Sequence, residues 1–140
     1  MADVISIVQP TTKQQAASEG GGQHWTVKGA DVEGLEDVVS GDLVIGDNNC
    51  LVGVALTDYN DETDEVALDT TGAWYLPVDI TNAIAVGDWI YYNGSVLSNS
   101  ATGGKPIGQA MAAHAAGESQ ETADIPVKLQ PCCTDNREGS

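Results

Sequence analysis

Hydrophobic positions recur in short runs from Gly34 to Gln130, and most of these runs alternate with polar or small residues, which is the pattern of β-strands. The stretches "DLVIG" and "CLVGVAL" are β-branched and separated by the turn-forming letters "GDNN". "DIPVKLQP" alternates at Ile125, Val127 and Leu129. Pro126 predicts that this last run is an edge strand, because proline cannot donate a ladder hydrogen bond. The pattern as a whole predicts an all-β domain.

A hairpin is predicted in "DWIYYNGSVLS", with Asn93 and Gly94 as a two-residue turn that has positive φ at both positions. Helical character is confined to "KPIGQAMAAHAAGES", where Gly108 and Gly117 leave room for two turns at most. Its letters "IGQAM" also match the strand letters "VGVAL". We therefore predict that this stretch is mostly β.

One motif is written twice, at a spacing of about 46 residues: Gly41-Asp42 and Gly87-Asp88 each precede an apolar strand. The glycine suits the special backbone angle of a turn, and the aspartate can accept hydrogen bonds from nearby backbone amides. Each copy then gives strand, turn and strand. Two related hairpins of this kind can close a small barrel or sandwich, whereas a single hairpin is marginal in water.

The N-terminal residues differ from the rest. An apolar run contains Val4, Ile5, Ile7 and Val8, and the polar, Gly-rich "TTKQQAASEGGGQ" follows it. We predict a sticky arm on a flexible tether over residues 1–30, a β domain over residues 31–131 and a tail over residues 132–140. A frayed terminus is the alternative.

The chain has 140 residues, three Trp, no Phe and a formal net charge of −16. Specific duplex-binding proteins commonly neutralise about 6–10 phosphates with clustered Lys and Arg. This chain has five such cations, isolated from one another in sequence, so nucleic acid and anionic membranes are excluded as partners. No apolar run is long enough for a membrane span, and the N-terminus lacks a signal pattern.

Residues that could support catalysis are sparse. The two histidines, His24 and His114, have no metal-ligand spacing, and adjacent Cys132 and Cys133 are poorly placed to bind one metal together. Three cysteines make no disulfide framework, which fits free thiols made in a cytosol. We expect no enzyme activity and no cofactor.

The acidic loop "DYNDETDEVALD" is a weak candidate for an ion site. Its alternating side chains resemble a calcium loop that would end at Asp69. Thr63 stands where the sharp turn of such a loop needs glycine, and the flanks are strands. A solvated, self-repelling loop is the alternative. The candidate ligands are Asp58, Asn60, Glu62 and Asp64.

Aromatic residues raise the question of binding. On a strand, Trp89 and Tyr91 share one face while Ile90 and Tyr92 share the other, so both faces carry apolar surface. One face is a candidate subunit contact, because Tyr and Trp are enriched at interface hot spots. Full burial and a sugar-stacking platform of Trp74, Trp89 and Tyr92 are the alternatives. The contact candidates are Trp74, Tyr75, Trp89, Tyr91 and Tyr92.

The order "GDLVIG…LVGVAL", "VALDTTGAWYLPV", "AIAVGDWIYYN", "KPIGQAM" and "IPVKLQP" resembles a family of tailed-phage proteins encoded beside the major capsid gene, the capsid decoration or cement proteins. The resemblance covers about Val39 to Pro131 and depends on glycine placement and strand order. The N-terminal segment and "CCTDNREGS" depart from the shorter members of the family.

This resemblance implies a small tulip-like β-barrel or β-sandwich, made of the two related hairpins and an extended N-terminal arm. It implies a non-enzymatic protein on the outer surface of the virion, made in the host cytoplasm. The expected partners are the major capsid protein and the protein itself, as a homotrimer rather than a dimer. The N-terminal run, with Val4, Ile5, Ile7 and Val8, is expected to pair as an added strand with a capsid or neighbouring subunit edge. A glycan- or receptor-binding module is the alternative function.

Overall fold

The computed structural model describes residues 3–10, 24–46, 51–101 and 104–129, without the side chains of Asp3, Val4 and His24. Within these ranges the chain is nearly all β, with one short 3-10 helix at Leu35–Asp37. The strands are β1 (Asp3–Val8), β2 (His24–Lys28), β3 (Val32–Glu33), β4 (Leu43–Gly46), β5 (Val52–Ala55), β6 (Glu65–Asp69), β7 (Ala73–Asp79), β8 (Trp89–Tyr92), β9 (Leu97–Ser98), β10 (Lys105–Ala110) and β11 (Thr122–Leu129).

The strands form two units. A six-stranded sheet has the order β2-β6-β5-β4-β1-β3, and we call it the first sheet; the closed five-stranded barrel has the order β10-β11-β7-β9-β8. Most neighbouring strands are antiparallel, but β1 pairs with β3, and β7 with β9, in parallel. The predicted all-β fold with a small barrel is confirmed. No helix in the described part of the chain is long and apolar enough to cross a membrane.

The two units pack through β4 and β5, whose residues are buried on both faces. Val44 and Ala55 belong to the core of the first sheet, whereas Leu43 and Val54 belong to the core of the barrel. Burial on both faces explains the continuous apolar runs of these strands. The apolar area removed from water here holds the first sheet against the barrel.

The repeated turn has the same backbone geometry in both units. Gly41 has φ of 93° and Gly87 has φ of 91°, in the left-handed region that favours glycine. The Gly41 amide donates to the Ala55 carbonyl at 2.8 Å, and the Gly87 amide donates to the Ala110 carbonyl at 2.8 Å. The sequence repeat is therefore also a structural repeat.

The aspartates of the repeat also perform equivalent roles. Oδ2 of Asp42 accepts a hydrogen bond from the Val39 amide at 3.1 Å, and Oδ2 of Asp88 accepts one from the Ala85 amide at 2.9 Å. Each side chain thus closes the turn from which its own strand leaves, as predicted.

The predicted edge position of Pro126 is wrong, because β11 lies between β7 and β10. Pro126 pairs with Tyr75 on β7, and its carbonyl accepts from the Met111 amide at 2.7 Å. Met111 lies just beyond the end of β10. Proline is tolerated here because the ladder on that side ends beside it.

The predicted hairpin at Asn93-Gly94 forms between β8 and β9, but its turn is longer than two residues. Tyr92 pairs with Leu97, and only Gly94, at 98°, has the positive φ expected of both turn residues. The Asn93 carboxamide oxygen accepts from the Ser95 and Val96 amides at 2.9 Å. This Asx turn provides the reversal that positive φ at Asn93 would otherwise supply.

The apolar N-terminal run forms a strand within its own chain. In β1, Ile5 pairs with Gly46 and Val8 pairs with Leu43, both on β4, while the start of β1 pairs with β3. Residues 24–28, at the end of the predicted tether, form β2 and pair with β6. Residues 11–23 and 130–140, which include Cys132 and Cys133, lie outside the described residues.

Candidate functional site

The two units can be compared position by position, because equivalent hydrogen bonds fix their register. The Leu56 amide donates to the Ala67 carbonyl at 2.8 Å, and the Met111 amide donates to the Pro126 carbonyl at 2.7 Å. Ala67 on β6 is therefore the counterpart of Pro126 on β11. The exposed surfaces of the two units, where they differ, are the candidates for function.

Two tryptophans occupy equivalent positions but differ in exposure. Trp25 pairs with Leu68 and Trp74 pairs with Val127, one residue beyond the equivalent pair that fixes the register. Trp74 is 8% exposed, whereas Trp25 is 50% exposed. The first sheet covers Trp74, and the indole Nε1 donates to Oδ2 of Asp69 at 3.0 Å. Trp25, at the corresponding end of the first sheet, is not covered in this way.

Asp69 is a structural residue that the sequence interpretation assigned to the last position of a calcium-like loop. It is buried, and its Oδ1 accepts from the Gly72 amide at 3.0 Å and from the Thr71 amide at 3.3 Å. A Cβ atom on Gly72 would lie 2.2 Å from Asp69 Oδ2. The letters "DTTG" are the sequence signal for this turn, which joins the two units.

The outer surface of the barrel carries an aromatic face, which we define as Trp89 and Tyr91 on β8; Tyr75 lies on β7, which is not a neighbour of β8. Trp89 pairs with Gln109, and Tyr91 with Pro106, so these four side chains share one side of the sheet. All of them are half-buried. The predicted contact residues Trp89, Tyr91 and Tyr75 therefore reach solvent.

The other two aromatic candidates lie elsewhere. Trp74 is buried at the end of the barrel, and Tyr92 packs against the barrel core. Tyr92 also alternates with Tyr91 along β8, so the two rings point to opposite sides. Trp74, Trp89 and Tyr92 thus do not form one stacking platform, and the geometry gives no support to a sugar site built on them.

Side chains of the acidic loop hold its backbone. Asp58 accepts from the Ser40 amide at 2.9 Å, and the Asn60 side chain accepts from the Glu62 amide at 2.9 Å. Asp64, which has a positive φ of 60°, accepts from the Ala30 amide at 2.9 Å. Across the described ranges, no three His, Cys, Asp or Glu side chains come together as a metal site.

Asp64 also anchors a tyrosine. The Tyr59 hydroxyl donates to Oδ1 of Asp64 at 2.5 Å. This hydrogen bond to the carboxylate, together with partial burial and the neighbouring negative charge, raises the pKa of Tyr59 to about 12. The loop is therefore a solvated acidic surface with an ordered internal scaffold.

The equivalent end of the barrel exposes apolar side chains. Val86 is 68% exposed and Met111 is 42% exposed, and the bond between Gly87 and Ala110 brings their backbones together. Residues 111–117 read "MAAHAAG", without Asp, Glu, Lys or Arg and with His114 as the one titratable side chain. The backbones of Ile84 and His114 exchange two hydrogen bonds of 2.9 Å, which join the two loops. We call Val86 together with residues 111–116 the alanine end.

A family model described as phage cement protein matches residues 22–129 of the chain, which is most of its length. The chain belongs to the phage cement protein family. No curated protein and no solved structure gives a significant match.

Membership confirms the resemblance that the strand order and glycine placement indicated. Cement proteins decorate phage capsids, so this cement protein associates with the capsid of a virion. The family is structural and is not a class of enzymes. The features that distinguish the first sheet from the barrel are therefore candidates for contact with other proteins.

Of the predicted N-terminal contact residues, Ile5 is buried, and Ile7 and Val8 are half-buried against the cores. The side chain of Val4 lies outside the described set. In this structure the run is thus part of its own sheet.

Proposed function

We propose that this cement protein binds the outer surface of a phage head and clamps adjacent subunits of the major capsid protein. The alanine end is the observation that carries the proposal. In a chain with a net charge of −16, Val86 and Met111 are exposed beside each other at an end whose residues 111–116 include no Asp, Glu, Lys or Arg. A neutral, apolar surface can dock without desolvating carboxylates, which would be costly.

Bridging follows from having more than one contact per assembly. A homotrimer bound across several capsid subunits converts each later contact into an intramolecular event, which raises avidity by about 10²–10⁴. Modest single contacts then resist the outward pressure of the packaged genome, because they have to be released together.

The N-terminal run Val4–Val8 supplies a second contact in this proposal, as an added strand on a capsid or neighbouring subunit edge. Since β1 pairs with β4 in its own chain, this contact requires β1 to exchange partners. Deletion of residues 1–9 tests it: we expect lower occupancy on empty heads from a shortened chain that circular dichroism and urea unfolding show to be folded, and unchanged occupancy would remove the run from the mechanism.

The alanine end is tested by Val86→Glu and Met111→Glu, each of which puts a charge on the proposed contact. We expect either substitution to lower occupancy on purified heads by at least about tenfold, as measured by gel densitometry of sedimented particles. Val39→Glu is the matched control, because Val39 is 39% exposed and lies next to the other copy of the turn. Wild-type occupancy by both alanine-end variants would refute the proposed surface.

Clamping is tested separately from binding. Heads saturated with the wild-type protein should lose their DNA at a higher temperature than undecorated heads. The release of DNA can be followed with a fluorescent dye. Equal release temperatures at full occupancy would show that the protein decorates the head without clamping it.

A further inference from the structure

Inside the chain, one end of the barrel is packed on the outer face of the first sheet. This end is formed by the start of β7, the end of β11 and the start of β10. The Lys105 ammonium donates to the Gly46 carbonyl at the end of β4. The Trp74 indole on β7 donates to Oδ2 of Asp69 at the end of β6 at 3.0 Å. The receiving face of the first sheet consists of Leu43, Ile45, Val52 and Val54, all of them buried.

The barrel has its own copy of this receiving face. Because the Gly-Asp turns are equivalent, Leu43 and Ile45 on β4 correspond to Trp89 and Tyr91 on β8. Trp89 and Tyr91 are large and mostly apolar, yet they are only half-buried. Gln109 and Pro106 pair with them where Val54 and Val52 pair with Leu43 and Ile45. Within the described residues, no further unit packs on this copy of the face.

The first sheet likewise has its own copy of the packing end. Trp25 is the counterpart of Trp74, which lies at the packed end of the barrel. Trp74 is 8% exposed under the first sheet, and Trp25 is 50% exposed. Within each chain, the Trp74 end of the barrel is packed on the face of the first sheet. The Trp25 end of the first sheet and the Trp89 and Tyr91 face of the barrel remain exposed.

We infer that the Trp25 end of one molecule packs on the Trp89 and Tyr91 face of a second copy, repeating between chains the contact that exists within each chain. The contact is heterologous, since the two molecules contribute different surfaces, and it therefore closes into a ring or extends into a chain. The proposed function includes self-association, and this contact gives that self-association a defined interface. The contact forms in the free protein, without a capsid.

Charge makes this association dependent on salt. Two molecules with a net charge of −16 repel each other, and the Debye length falls from about 30 Å at 0.01 M to about 8 Å at 0.15 M ionic strength. Association through an apolar contact should therefore strengthen as salt is added over this range. Association that weakens on adding salt would indicate an ionic interface and would overturn the inference.

The test uses the full chain in solution, without capsids. Trp25→Ala truncates the side chain that the exposed end contributes to the contact. The double variant Trp89→Ala with Tyr91→Ala truncates the aromatic side chains of the exposed face. Val39→Ala is the control, because it truncates an exposed apolar side chain outside the proposed contact. We expect sedimentation velocity to show oligomers for the wild type and the control, and at least about tenfold weaker association for the other two variants.

Mixing the two defective variants separates this contact from a symmetric one. Each variant retains the surface that the other lacks, so an equimolar mixture should form a one-to-one dimer and no larger species. A symmetric interface would give no such rescue. Circular dichroism and urea unfolding confirm that each variant is folded. A monomeric wild type up to about 1 mM, or wild-type association by Trp25→Ala, would overturn the inference, whatever the occupancy on heads.

Discussion

The first sheet and the barrel repeat the same sequence of turn and strands, but they complete it with different parts of the chain. In the barrel, β9 lies between β8 and β7 and comes from the loop that follows β8. In the first sheet, β1 lies between β4 and β3 and comes from the N-terminus. The repeat therefore defines a position for a fifth strand, and two unrelated segments fill it.

This difference gives the N-terminal apolar run a role in folding. Ser6 pairs with Ile45, and Ser98 pairs with Tyr91, so a serine occupies the equivalent position in both cases. Without β1, the side of β4 that faces it would be an unpaired edge beside buried apolar residues. The run is apolar because its strand lies between the two cores, and this reason is independent of any capsid contact.

The second difference lies in the loop between the equivalent strands. Between β5 and β6 the loop is acidic, and between β10 and β11 it is rich in alanine. The strands on either side of the two loops pair in the same register, so the fold does not dictate this contrast. A duplicated framework keeps its turns and strands, and its loops are free to take up separate surface roles.

Two equivalent glycines give the largest expected effect. A Cβ atom on Gly108 would lie 2.3 Å from the Lys128 carbonyl oxygen, whereas one on Gly53 would lie 3.1 Å from the Asp69 carbonyl oxygen. We expect Gly108→Ala to lower the free energy of unfolding by about 3 kcal/mol, and Gly53→Ala by about 1 kcal/mol. Urea titration measures both values. A larger loss for Gly53→Ala would contradict the closer approach of the neighbouring backbone at Gly108.

The junction between the two units gives the next effect. Asp69→Ala leaves the Trp74 indole and the Gly72 amide without their buried acceptor, so we expect a loss of about 2 kcal/mol in the free energy of unfolding. Asp79→Ala is the control, since Asp79 accepts from Thr81 in an exposed turn, and it should cost less than about 1 kcal/mol. Equal losses in urea titration would show that Asp69 does not join the units.

The smallest effect concerns Tyr59 in the acidic loop. Its pKa is raised from 10.0 to about 12 in the folded protein, so the stabilisation is fully present below pH 10 and is lost as the pH rises to 12. The stability difference between the wild type and Tyr59→Phe should therefore be constant up to pH 10 and decline above it.

The titration of Tyr59 can be followed directly. Absorbance at 295 nm should show that Tyr59→Phe removes a phenol that ionises near pH 12. Removal of a phenol that ionises near pH 10 would contradict the bond to Asp64. Tyr75→Phe controls for the loss of a tyrosine in the other unit.

Local chemistry could be predicted from the sequence to a large extent. The paired Gly-Asp turns, the β8–β9 hairpin and the strand at "KPIGQA" all depend on residues close in sequence. The predictions for Pro126 and for the Asn93 turn were wrong because each depends on where a partner strand ends. The role of Asp69 was missed because its carboxylate is shared between a local turn and a distant indole.

The sequence by itself determined that the chain is all-β, that it repeats one glycine-turned hairpin, and that its net charge is −16. Only the tertiary structure decided that β1 completes the first sheet, that Trp74 is covered while Trp25 is exposed, and which aromatic rings reach solvent. The physical reason is that turn geometry and alternation are properties of neighbouring residues. Strand order and burial instead depend on contacts between segments far apart in the chain, and alternation alone does not specify which strands will be neighbours.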